Sequence, residues 1–380
     1  MRRTTRVAVL VAAVTAVLAA PLSASAAPFP TTFTYTRNMH PLGFSPRENT
    51  TSPFTANSDL AFRGRLAVHG NYDGFRIVDI HEPDNPVELL DYRECFGNQG
   101  DVIVLGDILV RSWNSPAPEG ATCDGEPVTP RWEGLHVFDI SDLADPDLVA
   151  SVETECGSHT ATGVPDPANN RLLVYNNPSS ALCPGIDIVQ IPLGDPASAS
   201  YLRFEPAGRS CHDSGVILGD AQLAACAGGN GFTTWSLDPA DGGSLEDPAQ
   251  LYSRTVPGVT IGHSAGFTWD GKVLIFGHEP GGGAQARCQT TSSITDRSLF
   301  FFDAATGDQL GTIVHPRPQT ATENCTWHNY NLVPTGQRYV LVSGNYQSGI
   351  SVVDFSDPAD ARDRLRRPGA AVGDAADPRR

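Results

Sequence analysis

A strand-like segment of seven residues occurs six times along the chain: GFRIVDI (74–80), GLHVFDI (134–140), GIDIVQI (185–191), GFTTWSL (231–237), SLFFFDA (298–304) and GISVVDF (349–355). Most copies open with glycine, alternate with period two, and run into Asp/Pro turns such as HEPDNP and SDLADP. That is the composition of a strand entering a tight turn. The copies recur at roughly fifty to sixty residues, the length of one four-stranded propeller blade with loop insertions. Around the first copy, SDLAF (58–62) and RLAVHG (65–70) precede and VELLDY (87–92) follows. Each unit therefore reads as four strands from the inside outward, with the heptad third. One strand order repeated six times favours radial packing over a sandwich. The expected fold is all-β: a β-propeller with six recognisable four-stranded blades, or a seven-bladed one cut short.

The ends read differently from the repeats. Arg2, Arg3 and Arg6 form a positive start, Val7 to Leu18 an apolar stretch, and Ala24-Ser25-Ala26 a small-residue cleavage site. Residues 1–26 are thus expected to be a signal peptide, leaving a secreted, extracellular protein whose propeller spans 27–360. No later run reaches eighteen apolar residues, so no membrane span is expected. Residues 361–380 are expected to be a disordered or aberrant tail. Six arginines and three aspartates lie between Arg362 and Arg380, and no apolar fourth strand follows the last heptad. TTFTYTRNMH (31–40) is a candidate outer strand for a closing blade. The formal charge is −17, and loss of the three leader arginines takes it to −20. Such an acidic chain is a poor partner for nucleic acid or an anionic membrane.

The run NYDGFRIVDIHEPDNPVELLDY resembles the LVIVD repeat, and NYQSGISVVDFSDPAD resembles its last copy. CGSHT (156–160), CHD (211–213), GHSAGF (262–267), EPGGG (279–283) and NCTWHN (324–329) are similar to actinobacterial members of that family. The resemblance covers about residues 34 to 360 and implies an exported propeller. It carries no assigned reaction.

Propeller geometry then gathers the cysteines and histidines. Connections from an outer strand to the next inner strand, and loops from second to third strands, share one face. Cys95, Cys156, Cys211 and Cys325 lie in the former; Cys123, Cys183 and Cys288 lie in the latter, and Cys226 ends a second strand. The nearest pairings are Cys95–Cys123, Cys156–Cys183 and Cys211–Cys226 within blades and Cys288–Cys325 between neighbours, read as disulfides in an oxidising compartment. Aligning the inner strands HTATGVP (159–165), HDSGVIL (212–218), HSAGFTW (263–269) and HNYNLVP (328–334) puts His159, His212, His263 and His328 in one phase. Blades 1 and 2 offer Ala56 and Asn98 there. The result is an arc of four imidazoles near the axis.

Three readings fit such an arc: one divalent transition-metal ion, hydrogen-bonded structural histidines, or general acid–base work without metal. Glu279 and His278 are further candidate ligands, and Asp213 a candidate partner that orients an imidazole. Trp113, Trp132 and Trp327 lie towards the same face and read as packing residues. No H-E-x-x-H or P-loop occurs, which leaves zincins and nucleotide enzymes without support. The function classes left open are an extracellular binder of a ligand or metal, a metal-dependent oxidoreductase or lyase, and a protein-interaction scaffold. Its ligand, a small molecule or a protein, is unspecified. Peptide mapping of the non-reduced protein should find every cysteine bridged, in the pairs named above. Two or more alkylatable thiols would overturn that expectation.

Overall fold

The computed structural model describes residue 36, residues 39–47 and residues 56–364, apart from 284, 317–319 and 325. The expected leader, most of the 31–40 segment, Cys325 and residues 365–380 lie outside the described residues. Six four-stranded antiparallel sheets follow one another along the chain as the blades of a β-propeller. Their inner strands are Asn57–Arg63, Val102–Leu105, Thr160–Asp166, Asp213–Ile217, Gly262–Phe267 and Asn329–Pro334. A two-stranded hairpin, Thr122–Cys123 with Glu126–Pro127, sits in the long loop of blade 2.

Each residue type in the heptad has a physical reason. The opening glycine lets the third strand pass under the end of the fourth. A Cβ on Gly74 would stand 1.9 Å from the Tyr92 carbonyl oxygen, and one on Gly134 2.1 Å from that of Val152. Near the end of the heptad, a short polar side chain starts the next turn. Asp79, Asp139, Asp303 and Asp354 each accept the N–H two residues on, from His81, Ser141, Ala305 and Ser356. Between these points the register slips by one residue at the same place in five blades: Ile77/Val78, Val137/Phe138, Ile188/Val189, Thr234/Trp235 and Phe301/Phe302. The bulged residue on the outer strand is Leu89, Val149, Leu202, Leu251 or Leu310, apolar every time. A bulge bends the strand and strengthens its twist, which suits an outer strand splayed from the axis.

Apolar seams join each blade to the next. Phe75 and Ile77 of blade 1 pack with Leu109 and Phe138 of blade 2, and Val110 and Leu135 of blade 2 with Leu172 and Val189 of blade 3. Tyr175 and Ile188 then meet Trp235 of blade 4, Phe232 meets Phe276 and Phe302 of blade 5, and Phe301 meets Phe355 of blade 6. Fully burying one such side chain contributes about 1.5–3 kcal/mol. Among the described residues no comparable cluster joins blade 6 to blade 1. There Leu60 and Phe62 are 53% and 60% exposed.

Blade 6 corrects one expectation. Its fourth strand exists as Arg362–Asp363, pairing Asp354 with Arg362 and Val353 with Asp363. Two residues of the segment expected to be a tail, Arg362 and Asp363, are therefore paired with blade 6. An outer strand can pair through its backbone alone, and here charge replaces the apolar contact: Arg338 and Arg364 both close on Asp354. A search for apolar residues passes over such a strand.

Three bridges form as expected, Cys95–Cys123, Cys156–Cys183 and Cys211–Cys226. Cys288 is also disulfide-bonded. Loops of 28, 27 and 15 residues are closed by the three, each worth about 3 kcal/mol in the chain-entropy account. The seams themselves can be tested. Phe301 is fully buried and stacks on Phe355 at 4.7 Å, so Phe301→Ala should lose about 3–5 kcal/mol in denaturant unfolding. Leu182, 92% exposed, should change stability by no more than about 0.5 kcal/mol as Leu182→Ala. Equal losses would contradict this packing.

Candidate functional site

The four phased histidines stand where inner strands begin. His159, His212 and His328 each immediately precede their strand, and His263 is the second residue of Gly262–Phe267. Their backbones are pinned from two sides. The N–H of His159 donates to the Asn177 carbonyl (2.8 Å) and that of His212 to Ala227 (2.7 Å), within their own blades. From the preceding blade, the Thr160 hydroxyl donates to the His212 carbonyl and the Ser264 hydroxyl to that of His328 (3.1 Å). In blade 2 the carbonyl in this role belongs to Gly100, which accepts from Ser58 at 2.5 Å. Asn98 instead adopts a left-handed φ of 61° and bonds Ser115. The phase expected for blade 2 is thus off by two residues, because an irregular loop precedes its strand.

The side chains come together. Successive ring centroids lie 4.4 Å apart for His159–His212 and 4.2 Å for both His212–His263 and His263–His328. Asp213 holds one side of the arc. Its Oδ1 lies 3.0 Å from His212 Nδ1, and its Oδ2 lies 3.5 Å from His263 Nδ1. The Asn329 amide, with its nitrogen turned inward, donates to the same Oδ2 at 3.2 Å. Nδ1 of His212 therefore carries the proton shared with the carboxylate, and in the neutral ring Nε2 is left with a lone pair.

The Nε2 atoms face the other way. His159 Nε2 and His212 Nε2 are 3.0 Å apart. Glu279 faces the far half of the arc, with Oε2 3.9 Å from His263 Nε2 and Oε1 3.5 Å from His328 Nε2. Tyr346 donates its hydroxyl to Glu279 Oε1, its ring edge-on to His328 at 4.6 Å. One ligand atom from each of His212, His263 and Glu279 lies within 4.8 Å of the others. His278, the last residue of the strand Val273–His278 that leads into Glu279, turns away. Its Nε2 accepts the Thr260 N–H (3.2 Å), so it takes no part in the arc.

Charge follows burial. Burial presses His159 down to about 4, with His212 adding to the effect, and holds the 2% exposed His263 well below the ordinary histidine range. Burial also disfavours a charged His212, but Asp213 and Glu279 outweigh it and its pKa is raised. Asp213 stays low despite burial because His263 and His212 face it; Glu279 stays low through His328, His263 and Tyr346.

Two acids near this opening have no place in the histidine alignment. Val102 N–H donates to Asp59 (3.1 Å) and Ala161 N–H to Asp101 (2.9 Å). Burial raises Asp59 to about 6, with the Asp213 charge adding to it, and raises Asp101 well above the ordinary carboxylate range, with the charges of Asp59 and Asp213 adding to it. The signal available was the acid immediately after the phased position, as Asp101 follows Gly100 and Asp213 follows His212. Tyr346, alone in the loop NYQSG, had no such signal. A second cluster, Cys95, Cys123 and His136, is also compact. Its sulfurs are joined in a disulfide, and His136 stacks on Trp132 at 4.6 Å and meets Ser151. Trp113, Trp132 and Trp327 are buried packing residues.

Residues 128–154 match the LVIVD repeat. They span the third and fourth strands of blade 2. The chain also shares its fold with solved structures of low identity. A functionally unknown protein from Desulfotomaculum acetoxidans DSM 771 is 12% identical, with TM-score 0.54 over 80% of this chain and 84% of that one. A hypothetical selenium-binding protein from Sulfolobus tokodaii is 8% identical, with TM-score 0.52 over 80% and 74%. A putative 6-phosphogluconolactonase from Bacteroides fragilis NCTC 9343 is 10% identical, with TM-score 0.51 over 83% and 82%. These likenesses show the propeller fold alone. No curated protein matches the sequence at a significant level.

Imidazole nitrogen NMR can check the charge pattern. At a pH just below the ordinary histidine value of 6.5, His212 should be mainly protonated while His136 and His159, lowered by burial to about 3 and about 4, stay neutral. Asp213→Asn should bring His212 down. For His136 and His159 the folded pKa lies below the unfolded one, so their contribution to stability is present above about 6.5 and is lost as pH falls towards the folded value.

Proposed function

We propose that this chain is a secreted propeller that binds one transition-metal ion at the axial opening of blades 3 to 6. His212, His263 and Glu279 are the ligands, with His159 and His328 beside them. The observation that carries this reading is the two-sided arrangement of carboxylates. Asp213 faces the Nδ1 atoms of His212 and His263, and Nε2 of His263 lies on the side of Glu279. Histidines kept only for hydrogen bonding between blades need no carboxylate on both sides. Histidine ligands to metals ordinarily have a carboxylate or carbonyl behind the other ring nitrogen. Two imidazoles and a carboxylate suit Zn, Cu, Fe or Ni.

Export is supported by the bridges among the described residues, which suit an oxidising compartment. No helix among the described residues is long and apolar enough to cross a membrane. Three ligands leave coordination positions for an outside molecule, so a metal-dependent oxidoreductase or lyase is the reaction class open to such a site.

Elemental analysis of protein purified without a histidine tag, then exposed to Zn, Cu, Ni and Fe salts, tests the reading. Wild type should retain about one equivalent of metal, the single ion of a three-ligand site. His212→Ala, His263→Ala and Glu279→Gln should each lose it while keeping their circular-dichroism spectrum. Wild type that retains no metal, or variants that retain it fully, would overturn the assignment.

A further inference from the structure

Tyr346 opens the one-turn segment Tyr346–Ser348 that follows the second strand of blade 6. Its φ is +48°, a conformation that a bulky side chain disfavours by about 1–3 kcal/mol. That conformation goes with a phenol aimed at the metal-binding face: the hydroxyl donates to Glu279 Oε1 and the ring stands edge-on to His328. A second segment is shaped around the same atom. Gly281, Gly282 and Gly283 all take left-handed φ values of 82°, 58° and 70°. A Cβ on Gly283 would stand 2.5 Å from the Tyr346 hydroxyl oxygen and 3.0 Å from Glu279 Oε1. Two unrelated loops thus adopt conformations suited to few residues, and both leave room for one phenol oxygen beside one carboxylate.

We propose that Tyr346 is a ligand of the metal ion, and that the site therefore takes an oxidised, phenolate-accepting ion, ferric or cupric. The inference rests on the metal-binding reading above. When the ion sits on His212, His263 and Glu279, the carboxylate that now accepts from the phenol turns its oxygens to the metal. The phenol O–H bond breaks, its proton passes to solvent, to which Tyr346 is 39% exposed, and an oxygen–metal bond forms. No electron is transferred. Glu279 and the phenolate then supply two anionic oxygens, with the Asp213 charge behind the imidazoles, and a more highly charged cation gains most from such a donor set.

The test uses the full mature chain without a tag, loaded with ferric nitrilotriacetate or with cupric sulfate and freed of excess metal. Metal content and the visible spectrum are measured together. Expected are about one bound ion, as a single site of this kind holds, and a phenolate-to-metal charge-transfer band. Resonance Raman excited in that band should show enhanced tyrosinate vibrations, a readout that needs no variant. Tyr346→Phe should keep its metal on the imidazoles and lose the band. Tyr72→Phe, which removes the phenol within electrostatic reach of Tyr346, should keep both. Gly283→Ala, which crowds the phenol oxygen, should shift or weaken the band. Metal-loaded wild type without the band, or Tyr346→Phe with it, overturns the tyrosine assignment and leaves the metal site standing. Wild type that holds no ion overturns both.

Discussion

A four-stranded sheet with two apolar faces is stable in water only when both faces are covered, and in this chain the cover is the next copy of the same sheet. Phe75, Phe138, Trp235, Phe276 and Phe301 are buried because each blade packs a wall of apolar side chains against its neighbour in the chain. The constraint is radial. Sheets that pack face to face with the twist of β-strands fan around an axis. Their innermost strands must then start close together, whatever side chains they carry. The repeat therefore creates a site before any functional residue is chosen.

What occupies that crowded end is decided by one carboxylate on each side of an imidazole row. Asp213, on the inner strand of blade 4, reaches the rings of blades 4 and 5 and the amide of Asn329 in blade 6. It can do so because its neighbours are other strand starts rather than loops of variable length. Glu279 belongs to the loop after a second strand, and its N–H is held by the Ile261 carbonyl (2.9 Å). That bond fixes where the carboxylate enters the arc. The low dielectric of the opening then separates the charge states: His263 is kept neutral, whereas His212, in contact with Asp213, holds its proton more tightly.

The heptads were legible as strands because their period, opening glycine and closing aspartate each answer a local need. The propeller followed from repetition. Cysteine partners Cys95–Cys123, Cys156–Cys183 and Cys211–Cys226 could be paired because blade geometry puts their segments side by side. The outer strand Arg362–Asp363 was not legible. Its pairing is made by backbone and by the adjoining Arg364 on Asp354, and neither leaves an apolar pattern. The bulge residues Leu89, Val149, Leu202, Leu251 and Leu310 were invisible for a related reason: a slip of one residue is a property of two strands together.

By itself the sequence determined a repeated four-stranded unit, its radial arrangement, and the shared position of His159, His212, His263 and His328 at the starts of inner strands. These depend on short-range pattern and on counting. Tertiary structure alone decided that Glu279 enters the arc while His278 leaves it, that Gly100 rather than Asn98 occupies the equivalent place in blade 2, and that Asp59, Asp101 and Tyr346 belong to the surroundings of the site. Glu279, Gly100 and Tyr346 turn on where a loop of irregular conformation delivers one residue, and Asp59 and Asp101 on the strand of the next blade that faces them. Such delivery depends on contacts between segments tens of residues apart, which no local pattern records.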